Sequence, residues 1–108
     1  MIVNQYHSWV ETDLDTNAVV TATRAAPGSG AQAHYITSIS GSFSAAVSGA
    51  TLELKQGSTV LATWHVYNEL LLVLPSPIKL APGTVANLVL AAGGSSVDGV
   101  VNMTSYTL

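Results

Sequence analysis

The stretch LLLVLPSPIKLAPG, residues 70–83, opens with five aliphatic residues in a row and then meets Pro75 and Pro77. Five apolar residues are short for a helix and suit a strand, here expected to be buried on both faces. Proline has no amide donor and pushes the residue before it toward extended geometry. PSPIKL is therefore predicted to run on as an extended edge or connection until Pro82-Gly83 turns the chain.

The neighbouring segments carry the same period. HYITSISGSF, 34–43, alternates Tyr35, Thr37, Ile39, Gly41 and Phe43 on one predicted face against His34, Ile36 and serines on the other. ATLELKQGSTVLATWHV, 50–66, reads as a hairpin: Leu52 and Leu54 alternate with Glu53 and Lys55, and Gln56-Gly57-Ser58 reverses the chain. Tyr67-Asn68-Glu69 is a break before the Leu-rich strand. AVVTATRA, VANLVLAA and VVNMTSYTL add further strands, punctuated by APGSG and GGSSVDG. Seven to eight short strands with no amphipathic helix predict an all-β fold, an antiparallel β-sandwich or jelly roll. Residues 18–108 form its single domain. Residues 1–17, where Tyr6, His7 and Trp9 precede Glu11, Asp13 and Asp15, read as an N-terminal arm or edge segment.

Charge is scarce. Among 108 residues, three are Lys or Arg and six are Asp or Glu, or 8%, where an ordinary soluble domain has about a quarter. Twenty-three Ser and Thr residues supply part of the polar cover, and burial against sister subunits would remove the need for more. The three scattered cations, Arg24, Lys55 and Lys79, cannot make the basic stripe that a nucleic-acid backbone requires, so no nucleic acid is expected as a partner. No cysteine is present. No apolar run reaches the length of a membrane span and the N-terminus lacks a signal peptide's pattern, so no membrane partner is expected and the chain reads as made in the cytoplasm.

Catalytic patterns are missing. His7, His34 and His65 are too far apart for a local metal signature, and His65, beside Trp64 and Tyr67, reads as a hydrogen-bonded structural residue. Glu11, Asp13 and Asp15 would share one face of an extended segment, but no glycine-punctuated calcium loop follows. There is no GxSxG elbow and no phosphate-binding glycine loop leading into a helix. Neither an enzyme nor a cofactor nor a metal is expected. Trp9, Trp64, Tyr35, Tyr67 and Tyr106 serve either as core and interface anchors or as a sugar-stacking platform.

The run from His34 through Gly94, with its Tyr-Ile-Thr strand, short-turned hairpin, PSPIKL-APGT and Leu-alternating strand, together with VVNMTSYTL, resembles small phage virion proteins of the head decoration or cement type. These have a jelly-roll, tumour-necrosis-factor-like sandwich. The resemblance covers residues 30–108. It implies a homotrimer on the capsid exterior of the virion, bound to the major capsid protein and stabilising the shell, with no catalytic residues to carry over. On that reading Tyr6, Trp9, Glu11, Asp13 and Asp15 are expected to face the capsid, and Trp64, Tyr67, Leu70, Leu72 and Leu74 to form the subunit interface. The alternative is a carbohydrate- or receptor-binding sandwich module of a phage tail or fibre.

Overall fold

The structure, a computed structural model, describes residues 7–108. Eight strands follow one another: β1 (His7–Thr16), β2 (Val20–Arg24), β3 (His34–Phe43), β4 (Ala50–Gln56), β5 (Thr59–Val66), β6 (Glu69–Lys79), β7 (Ala86–Leu90) and β8 (Asp98–Thr107). They form two four-stranded sheets, in the orders β1-β8-β3-β6 and β2-β7-β4-β5, and every pairing is antiparallel.

The first strand pairs with the last, the second with the seventh, the third with the sixth and the fourth with the fifth. The chain is thus one long hairpin with its tip at β4–β5, rolled so that β8 also meets β3 and β7 also meets β4. This is the jelly-roll wiring. The tip is a two-residue loop, Gly57-Ser58, between paired Gln56 and Thr59. Gly57 has φ +60° in its first central position, where a two-residue hairpin loop of the II′ kind requires glycine.

Alternation sets the core. β8 sends Val101 and Met103 inward, β7 sends Ala86, Leu88 and Leu90, and β4 sends Ala50, Leu52 and Leu54, all buried. Gly41 lets the sheets close: a Cβ there would stand 3.3 Å from a methyl of Leu52.

β3 departs from the uninterrupted alternation expected of it. The register to both neighbours shifts between Ile36 and Ser38, so Thr37 is an extra residue and the inward set changes from His34 and Ile36 to Ile39, Gly41 and Phe43. His34 and Ile36 are core residues, not members of an outer face. The Thr37 hydroxyl donates to the Thr104 carbonyl at 3.0 Å. At the same place β6 inserts four residues, Leu74 to Pro77, opposite that one residue.

β6 is not buried on both faces as the apolar run suggested. Leu70, Leu72 and Leu74 pack half-buried against the core, whereas Leu71 and Val73 are 70% and 75% exposed. The strand is an edge, so it has a sheet neighbour on one side only and a second layer on one face only.

Candidate functional site

Residues 7–16 take the edge-strand form of the two expected for the N-terminal segment, pairing residue for residue with β8. Trp9, Glu11, Asp13 and Asp15 lie opposite Ser105, Met103, Val101 and Gly99. Trp9 therefore points into the sandwich and is buried, and the three acids share its side of the strand, where β2 of the other sheet lies alongside. Arg24 Nη1 donates to Glu11 Oε2 at 3.1 Å, and the Thr21 amide donates to Asp13 at 3.4 Å. Asp15 accepts the following amide, that of Thr16.

This corrects the expected capsid-facing set. Trp9 is a core residue and offers no surface to a partner, and Glu11 and Asp13 are tied to β2. Tyr6 lies outside the described residues. Trp9 could have been read as buried only by knowing its register with β8, because one aromatic in a polar strand has no alternation to place it.

Around Trp9 the side chains form a closed chain of hydrogen bonds. Its indole N–H donates to Thr107 Oγ1 at 2.9 Å, and Thr107 Oγ1 lies 2.7 Å from His34 Nδ1. His34 Nε2 lies 2.8 Å from the Ala25 carbonyl. A carbonyl can only accept, so Nε2 carries the proton, and Nδ1 accepts from the threonine hydroxyl. With both ring nitrogens engaged and the ring buried, His34 ties the 25–33 loop to the sandwich and has no nitrogen left for a metal or a substrate. Trp9 and His34 meet edge to face at 5.2 Å, and the Arg24 guanidinium lies 5.1 Å from the Trp9 ring centre. Beside them opens a cavity of about 460 Å³ whose lining includes Glu11, Arg24, Gln32 and His34.

His65 is exposed on β5, opposite Thr51, far from this cluster in the sheet order. Among the described residues no three His, Asp or Glu side chains come together as metal ligands.

The other candidate surface is the outward face of the β1-β8-β3-β6 sheet. The registers place its side chains in rows that cross all four strands: Ser8, Tyr106, Tyr35, Lys79; then Val10, Thr104, Ser38, Val73; then Thr12, Asn102, Ser40, Leu71; then Leu14, Val100, Ser42, Glu69. Hydroxyls, one amide and Val100 fill the middle, with Asn102 donating to Ser40 at 3.2 Å. Aliphatic side chains stand on both flanks: Val10 and Leu14 on β1 at 63% and 60% exposure, Leu71 and Val73 on β6. The expected interface set divides here. Tyr67 is exposed in the β5–β6 connection, but Trp64, Leu70, Leu72 and Leu74 face inward and pack on the core. The residues that β6 presents to the outside are their odd-numbered neighbours.

The aromatics do not assemble into an open platform. Tyr35 stacks on Tyr106 at 5.0 Å with planes 10° apart, and Lys79 lies over the Tyr35 ring at 5.8 Å. Trp9 is buried and Trp64 half-buried. No protein-family model matches the chain, and no curated protein is detectably similar to it in sequence.

Proposed function

We propose that the chain is a non-enzymatic structural subunit of a phage virion, a decoration or cement protein that binds the outside of the head as an oligomer and stabilises it. The single observation that carries this reading is the outward sheet face. Four exposed aliphatic side chains flank a floor made mostly of hydroxyl residues, with charge only at its ends, on Glu69, Lys79 and Asp98. Such a face loses little by being dried, since few charges need desolvation, and exposed aliphatic groups on one face mark contact surfaces. The jelly-roll wiring and the scarcity of charge across the whole chain support the same reading.

The mechanism is mass action. Contacts that exist only in the assembled shell favour that shell over its dissociated parts. The capsid contact moves, accordingly, from the acids of β1 to the outward residues Val10, Leu14, Leu71 and Val73. The test is co-sedimentation of the purified protein with undecorated heads. Binding should saturate for the native chain and fall at least tenfold for a Val10→Ser, Leu14→Ser variant with native circular dichroism. No binding by the native chain to any head preparation from its own phage would overturn the reading.

A sugar-binding module of a tail or fibre is the second reading. What favours it is the cavity beside Trp9, where Arg24 spends one donor on Glu11 and Gln32 forms part of the wall. Binding on a glycan array that disappeared in Arg24→Ala, with no binding to heads, would put this reading first.

A further inference from the structure

The nine charged side chains can be accounted for one by one. Glu11 pairs with Arg24 and Glu53 with Lys55. Asp13 and Asp15 accept backbone amides, and Asp98 accepts the Thr16 hydroxyl. Two remain: Glu69, whose side chain has no hydrogen bond or ion pair among the described residues, and Lys79, whose contact is the face of Tyr35 rather than a carboxylate. These two are the first and last residues of the same edge strand, β6. In the register with β3 and β8 they stand six rungs apart, since Leu74 to Pro77 oppose the single residue Thr37, so about 20 Å separates them and they cannot reach each other within one molecule.

We infer that β6 is the contact between two copies of this chain, laid antiparallel beside its symmetry mate about a twofold axis at Leu72, the rung midway between Glu69 and Lys79 in the register with β3. That register sets Glu69 opposite Lys79 of the second copy, and Lys79 opposite its Glu69. Between these ends Leu71 falls opposite Val73 of the second copy, because Leu74 to Pro77 stand against one residue of β3 and do not lengthen the ladder, so apolar meets apolar along the row. All four side chains are exposed in the single chain, and Leu71 and Val73 are the most exposed large aliphatics among the described residues.

The backbone agrees with this register. The Phe43 amide donates to the Asn68 carbonyl at 2.8 Å, and the Leu80 amide donates to the His34 carbonyl at 3.0 Å. Since successive residues of a strand point their backbone groups to opposite sides, those of Glu69 and Lys79 turn to the free edge. Pro75 and Pro77 have no donor to offer there, which prevents an arbitrary strand from adding a full ladder. A twofold contact uses the same patch on both copies and closes on itself, so it does not propagate into a fibre. It goes beyond the virion reading and does not depend on capsid binding.

Solution mass by size exclusion with light scattering tests it, on the native chain, on Glu69→Lys and Lys79→Glu singly, and on the double exchange. The native chain should show about twice 11.1 kDa. Each single exchange sets like charges opposite each other at both ends of the contact and should weaken association at least about tenfold. The double exchange restores both pairs and should restore the dimer. These exposed positions leave the fold unaffected, which circular dichroism checks. A native chain at one or three times 11.1 kDa overturns the twofold contact, the latter pointing to a ring in which each Glu69 meets the next Lys79. Single exchanges that dimerise as tightly as the native chain overturn it too.

Discussion

β1 and β6 are the two edges of one sheet, and they manage exposure in opposite ways. β1 turns its only aromatic and its three acids toward the partner sheet, where β2 lies alongside to receive them. β6 turns three leucines inward and leaves Glu69, Leu71, Val73 and Lys79 without a layer above or a strand beside them. Both edges keep aliphatic side chains outside, Val10 and Leu14 on the first and Leu71 and Val73 on the second, but the acids of the first find partners within the chain and the terminal charges of the second do not. An edge therefore says little by itself about interaction; what decides is whether its charged residues have already found partners.

Substitutions can break that contrast, and the largest effect belongs to β1. Trp9→Ala should cost about 3 kcal/mol of stability in urea unfolding, because a buried ring is removed and Thr107 loses its indole donor. A stability unchanged to within about 0.5 kcal/mol would mean that β1 is a loose arm after all. His34→Ala comes next at about 2 kcal/mol, since it strips partners from Thr107 and from the Ala25 carbonyl together. Limited proteolysis of the 25–33 loop should quicken in the same variant.

On β6, neighbouring residues should behave differently. Leu72→Ala should cost about 2 kcal/mol because the side chain packs on the core, whereas Leu71→Ser should stay within about 0.5 kcal/mol when unfolding is measured on dilute, monomeric protein. Equal losses at both positions would erase the distinction between the strand's two faces. The smallest effect is expected for Arg24→Ala. Its ion pair with Glu11 is partly exposed, at 40% and 28% of the two side chains, so solvent screening limits the loss to roughly 0.5 kcal/mol.

Much of the architecture was legible because it rests on local chemistry. The hairpin turning at Gln56-Gly57-Ser58, the Leu70–Leu74 strand after a break and its extended continuation through Pro75 and Pro77 follow from turn residues, a short apolar run and the geometry that proline imposes. The candidate site was less legible. Trp9 and the acids of β1 looked like free anchors, since no rule of spacing says that the first strand will lie beside the last. Thr37 hid for a related reason: a bulge is a mismatch between two strands, and one strand's sequence shows only its own alternation.

The sequence by itself determined that this chain is all-β, poor in charge and built from short antiparallel strands, because strand period, turn chemistry and composition act over a few residues at a time. Only the tertiary structure decided which face of each strand is spent on the core. That choice depends on register and on which sheet lies across, and it separates Leu72 from Leu71 and leaves Glu69 and Lys79 as the two charges with neither an ion pair nor a hydrogen bond of their side chains among the described residues.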